Sequence, residues 1–114
     1  MSNVYYDPAE FGLVIVDVLD EGGLSYEYNT LIVLKHTATG RVFYAQDSGC
    51  SCPTPFENYN FSFEDGQIRT DLTEINVVSL ANFERDVEGF PVSMSERQAC
   101  LVKVKEALKV VDAN

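Results

Sequence analysis

The stretch Leu31-Ile-Val-Leu-Lys-His36, Thr37-Ala-Thr-Gly40, Arg41-Val-Phe-Tyr-Ala-Gln46 decides the fold class. Two β-branched and aromatic runs flank four residues of turn chemistry, and the glycine at the end supplies the positive φ that closes a type I turn in a hairpin. Working outward, Tyr26 and Tyr28 stand two apart and extend the first of these strands toward the N-terminus. Further upstream, Phe11 to Leu19 is an apolar, β-branched run too short for a typical helix and stopped by Asp20-Glu-Gly-Gly23. It predicts a strand buried on both faces, then a turn.

Downstream, the apolar period disappears between Asp47 and Asn60, where Gly, Pro, Ser and Asn dominate, so this segment is expected to be a long connection between layers. Phe61 and Phe63 alternate with Ser62 and meet Glu64-Asp-Gly66, a further hairpin with Ile68 on its return strand. Ile75 to Val78 reads as a short extended segment. Ser79 is placed to cap a helix through Leu80, Phe83 and Val87 that stops at Gly89. Ser93-Met-Ser-Glu96 has the form of a capping box, and Leu101, Val104, Leu108 and Val111 then recur at helical spacing beside Cys100 and Ala107. Lys103, Lys105 and Lys109 lie off that stripe, and Lys109 suits the negative end of the helix dipole.

Strands therefore come first and helices last. That order predicts an α+β fold: an antiparallel sheet of three to five strands covered on one face by two C-terminal helices. At 114 residues the chain has room for one core, so residues 1–114 are expected to form a single domain. No strand runs into a phosphate-binding glycine loop, which argues against a nucleotide-binding fold.

The net charge is −10, and it is unevenly shared: residues 1–88 carry 15 acids and 4 bases, whereas residues 89–114 carry 3 acids and 4 bases. A body this acidic repels nucleic-acid backbones and anionic lipid, so neither direct nucleic-acid binding nor membrane binding is expected. Acidity permits a basic protein partner, and it is also an ordinary route to solubility. The N-terminal Met-Ser-Asn-Val-Tyr-Tyr-Asp-Pro8 lacks a basic start and an apolar signal core. Three cysteines cannot all pair, so a reducing cytoplasm is the expected setting.

The candidate site is Asp47-Ser-Gly-Cys-Ser-Cys-Pro-Thr-Pro-Phe-Glu57, which holds two of the three cysteines and two of the four prolines. The residues singled out are Asp47, Gly49, Cys50, Cys52, Pro53, Pro55, Phe56 and Glu57. Asp47 or Ser48 is expected to bond the loop's own amides, Gly49 to adopt a conformation closed to other residues, the prolines to stiffen the chain, and Phe56 to anchor it in the core. Such a segment is a rigid plug whose outer surface can bind a protein. Zinc on Cys50 and Cys52 is the alternative, with Asp47, His36, Glu57 or Cys100 as further ligands; the half-motif lacks the second spaced pair of structural zinc sites. A Cys50–His36–Asp47 nucleophile set is imaginable, but no oxyanion hole accompanies it. No catalytic residue, metal or cofactor is assigned.

Tyr44-Ala-Gln-Asp-Ser-Gly-Cys-Ser-Cys-Pro-Thr-Pro-Phe-Glu57, with Tyr5-Tyr6-Asp7-Pro8 and Phe11-Gly12 upstream, resembles a family of small uncharacterised proteins encoded by bacteriophages of actinobacteria. The likeness is strongest over the N-terminal half, and Asn60 to Thr70 is longer here than in that pattern. The resemblance implies a setting, a phage-encoded protein in the host cell cytoplasm; the rigid Cys-Pro loop and the acidic surface are in turn expected to engage a host or phage protein as partner. It implies no activity and carries over no catalytic residue.

Overall fold

The computed structural model describes residues 3–21, 27–50 and 55–112, with Glu27, Cys50 and 109–112 described by backbone alone. A single 3-10 turn, Pro8–Phe11, leads into β1 (Leu13–Asp20), β2 (Glu27–His36) and β3 (Val42–Cys50). A hairpin of β4 (Phe61–Glu64) and β5 (Gln67–Thr70) follows, then β6 (Thr73–Ile75), α1 (Leu80–Glu88) and α2 (Met94–Asp112). The main sheet is antiparallel with order β1-β2-β3-β6, and β4 and β5 form a separate two-stranded sheet. Two helices at the C-terminal end cover one face of the main sheet, as the element order predicts.

The central hairpin is built as its sequence reads. The Gly40 N–H donates to the His36 carbonyl at 2.7 Å and the His36 N–H to the Arg41 carbonyl at 2.8 Å, with Gly40 at φ 76°. From there β2 and β3 pair without interruption from Lys35↔Val42 to Glu27↔Cys50. Asp47 to Cys50, expected to belong to a connection, is thus strand. The ladder uses main-chain donors and acceptors, which exist whatever the side chains, so loss of apolar period did not end the pairing.

Side-chain alternation on these strands serves two layers. Leu31, Val33, Val42 and Tyr44 face the helices and pack with Phe83, Val87, Phe90, Cys100 and Val104. Ile32, Leu34, Phe43 and Ala45 face the other way and are covered by Val4, Phe56, Phe61 and Leu72. A second cover, made from the N-terminal segment, the end of the loop and the β4–β5 hairpin, therefore closes the face that the helices leave open. That hairpin turns on Asp65 and Gly66, both at positive φ (55° and 76°), the requirement of a two-residue type I′ turn. Its Phe61 ring meets Phe43 edge-on at 5.7 Å.

β1 departs from the sequence reading. It lies at the edge of the sheet, and Val14 and Ile15 are 45% and 41% exposed rather than buried. The register slips between Ile15 and Asp17, so Val16 is an extra residue in a β-bulge, which twists an edge and re-aims its side chains. Extended structure after β6 also ends at Ile75: Val77 and Val78 lie in a turn and are 93% and 85% exposed.

That turn is the helix cap. Asn76 Oδ1 accepts the Val78 and Ser79 N–H groups at 2.9 and 3.0 Å, while Ser79 Oγ accepts the Asn76 N–H at 2.9 Å. Asn76 therefore caps α1 reciprocally with Ser79, whose own side chain makes no cap bond at the position expected from sequence. For α2 the expected residue does the work, with Ser93 Oγ accepting the Glu96 N–H at 3.2 Å. Lys103 reaches Asp17 on β1 at 3.3 Å and Lys105 reaches Glu84 on α1 at 3.4 Å. Tyr44 joins β3 to α1, its ring against Phe83 and its hydroxyl donating to Asp86 at 2.7 Å. Burial, and then Asp86, push that phenol up to about 12. Among the described residues no helix is long and apolar enough to cross a membrane.

Candidate functional site

The far end of the central hairpin positions the site. Because Thr30 pairs with Asp47 and Tyr28 with Gly49, alternation puts the Tyr28 and Asp47 side chains on one face as diagonal neighbours. Asp47 is half-buried there and spends both oxygens on the protein itself: Oδ1 accepts the Ser48 N–H at 3.0 Å, and Oδ2 accepts the Phe56 N–H at 2.8 Å and the Tyr28 hydroxyl at 3.3 Å. A carboxylate so engaged clamps the two ends of the loop together.

Phe56 is completely buried at φ 62°, a conformation costly for a bulky residue. Its ring sits between Tyr5 and Tyr59, each edge-on with centroids 5.4 Å away. Burial of the ring, the Asp47 bond and a Tyr59 N–H bond to its carbonyl at 3.2 Å hold the backbone in that shape. Immediately before it, the Pro55 carbonyl accepts Asn3 Nδ2 at 3.0 Å. Asn3 is buried, and its Oδ1 accepts the Tyr5 and Tyr6 N–H groups at 2.7 and 3.3 Å, so one side chain ties the N-terminal segment to the loop. Tyr59 Oη donates to the Gln46 carbonyl at 3.2 Å. Burial raises the phenols of Tyr5 and Tyr59, helped by Asp20 and Tyr6 for Tyr5 and by Asp47 and Asp71 for Tyr59.

Gly49 is where the sequence reading fails on mechanism. It lies in the strand and is not among the positive-φ glycines of the described residues, Gly12, Gly40 and Gly66. A Cβ there would meet the Tyr28 ring tightly, 3.3 Å from Oη and 3.5 Å from Cζ. Of the other residues singled out, Pro55 is half-buried and Glu57 exposed, whereas Cys52, Pro53 and the side chain of Cys50 lie outside the described residues. Sequence reasoning missed Asn3, Tyr28 and Tyr59. Asn3 was the findable one, since an asparagine just ahead of Tyr5-Tyr6-Asp7-Pro8 is turn chemistry.

As a further zinc ligand His36 is out of reach of Cys50. His36 ends β2 at the turn, whereas Cys50 pairs with Glu27 at the strand's other end, so the length of the strand, about 30 Å, separates them. The same distance takes apart the Cys50–His36–Asp47 set. His36 is instead buried, its Nδ1 2.8 Å from Thr39 Oγ1 and its ring against Phe61 and Phe63. Cys100 lies on the buried face of α2, where burial and then Asp17, which is hydrogen-bonded to the thiol, push it up to about 12. Among the described residues no group of three or more His, Cys, Asp or Glu is placed to hold a metal ion.

A family model described as a domain of unknown function, DUF7574, matches residues 2–112. The chain belongs to that family. No curated protein and no solved structure matches it. Membership in DUF7574 spans the N-terminal segment, both sheets and both helices, so the Asn3–Pro55 and Asp47–Phe56 ties lie within the family's own extent.

Proposed function

We propose that this DUF7574 protein is a small acidic accessory protein, encoded by a bacteriophage of actinobacteria and acting in the host cytoplasm, that binds a host or phage protein through the surface built on residues 47–57. The observation that carries this reading is the Asp47–Phe56 bond at 2.8 Å with Phe56 wholly buried, because it fixes the two flanks of the loop before any partner arrives. A surface ordered in advance loses less entropy on association, so more of its contact energy is realised as affinity. Tyr6, 59% exposed and tilted against Tyr5 with ring centroids 5.0 Å apart, and Glu57, also exposed, border the pinned segment and offer an aromatic and an anionic contact. Aromatic anchors of this kind are enriched where proteins meet. The net charge of −10 favours a basic partner, and the Asp-x-Gly-Cys-Ser-Cys-Pro-x-Pro-Phe-Glu pattern supports the phage setting.

The test is recovery of a stoichiometric partner by tagged protein from infected actinobacterial cells, followed by titration of the purified pair. Tyr6→Ala and Glu57→Lys change exposed side chains and leave the fold intact by circular dichroism; each is expected to weaken binding by about tenfold. A partner whose affinity ignores both variants overturns the reading. Elemental analysis of the reduced protein bears on the same segment: zinc near one equivalent per chain, with folding lost on chelation, would instead make Cys50 and Cys52 ligands.

A further inference from the structure

Asn3 bonds in two directions from one buried amide. Its Nδ2 donates to the Pro55 carbonyl at 3.0 Å, across 52 residues of sequence, while its Oδ1 accepts the Tyr5 and Tyr6 N–H groups at 2.7 and 3.3 Å. The main chain closes the same turn, with the Asp7 N–H donating to the Asn3 carbonyl at 2.7 Å and the Asn3 N–H to Asp7 Oδ2 at 3.3 Å. Val4, fully buried in the cluster that holds Phe56, seats the turn in the core. The Tyr5 ring, edge-on to Phe56 at 5.4 Å, lies between the same two segments. Tyr6 and Glu57, both exposed, therefore stand on two stretches of backbone joined through a side chain that is itself only 8% exposed.

We infer that Asn3 is a positioning residue, locking Tyr6 and the Pro55–Glu57 flank into one unit that a partner meets together without touching Asn3. Its consequence for binding rests on the loop's partner proposed above. An amide is suited to the task because it carries a donor and an acceptor on one planar group, and each is used on a different segment. Burial makes the link demanding: a lost Nδ2 bond leaves the Pro55 carbonyl without that donor in a site largely closed to water. The Asp47 bond then holds the loop flank by itself, and the cost of bringing Tyr6 and Glu57 into one arrangement passes to the binding step.

The experiment follows amide hydrogen exchange by NMR in the full-length protein. Asn3→Asp keeps an oxygen for the Tyr5 and Tyr6 amides but, when ionised, has no hydrogen for the Pro55 carbonyl. At pH 7.5 its Phe56 amide is expected to exchange about tenfold faster than the parent's, with the Tyr5 and Tyr6 amide resonances little moved. At pH 5.5 the variant is expected to return toward the parent measured at the same pH, because a protonated carboxyl again donates to Pro55; burial and the neighbouring Asp7 carboxylate favour that neutral form. A loss of packing alone does not recover on acidification. Asn3→Ser, which offers an oxygen to the turn and is too short to reach the loop as well, serves if the carboxyl prevents folding; it is expected to show the same faster exchange at both pH values. Parent-like Phe56 exchange in either folded variant at pH 7.5, or no recovery of Asn3→Asp with acid, overturns the inference. The loop's partner is expected to bind Asn3→Asp about tenfold more weakly at pH 7.5, and an unchanged affinity there overturns it too. The exchange measurement needs no partner, so failure of this coupling and failure of the proposed binding are told apart.

Discussion

Asp47 and Phe56 are nine residues apart and joined by a 2.8 Å hydrogen bond from the Phe56 amide to the Asp47 carboxylate. The donor belongs to a residue whose side chain is completely buried, so removing the acceptor leaves an amide short of a partner as well as losing a charge-assisted bond. Asp47→Ala is expected to cost about 2–3 kcal/mol in urea unfolding, and Asp47→Asn less, because its amide oxygen still accepts. An Asp47→Ala variant as stable as the parent would show that the clamp contributes nothing.

Phe56→Ala tests the plug separately from the clamp. The ring contacts with Tyr5 and Tyr59 and its whole buried surface are lost, for an expected cost of about 3–5 kcal/mol. Part of that loss is returned if the left-handed backbone strains a bulky side chain, so Phe56→Gly should be less damaging than its extra flexibility implies. Equal unfolding midpoints for parent and Phe56→Ala are incompatible with an anchoring role.

His36 makes stability pH-dependent. Burial, and then the Arg41 charge, lower the ring's pKa below its ordinary 6.5. Just under pH 6.5 the unfolded chain therefore binds more protons than the folded one, so stability declines as pH falls through that range and levels off once the folded ring is also protonated. His36→Gln, which keeps a polar partner for Thr39, is expected to flatten this part of the curve in urea unfolding between pH 7.5 and 5.5. A slope unchanged by the substitution would assign it to carboxylates instead.

Cys100 is expected to be inert in the folded protein. A thiol raised from 9.0 to about 12 by burial and Asp17 supplies almost no thiolate at pH 8. Iodoacetamide followed by peptide mass analysis should leave Cys100 unmodified in buffer and alkylated in urea; rapid labelling of the native protein would contradict the buried placement.

Features set by neighbours in the chain were legible. Gly40 closes its turn, Asp65-Gly66 reverses its hairpin, and Ser93 bonds the Glu96 amide as the spacing indicates. What was illegible depends on contacts distant in sequence. The second cover over the sheet unites Val4, Phe56, Phe61 and Leu72, four residues from separate segments with no shared period. Gly49 lies in a strand with no positive φ, and the Tyr28 ring packed close to it lies across a strand register that composition does not encode. Ser79 stands at the N-cap of α1 as its sequence position indicates, but the side-chain bonds to the amides there come from Asn76, a role that only the geometry assigns. Both faces of β1 read as buried because an apolar run carries no mark of lying at a sheet's rim.

The extra residue at Val16 has a bearing on how much of this protein a cell can hold. An unbroken rim of main-chain groups invites copy after copy to zip together into fibres, and here the row falls out of phase halfway along, between Ile15 and Asp17. Two molecules meeting side by side can match one half of the row only by mismatching the other. One valine out of register on β1 thus works against edge-to-edge pairing of copies.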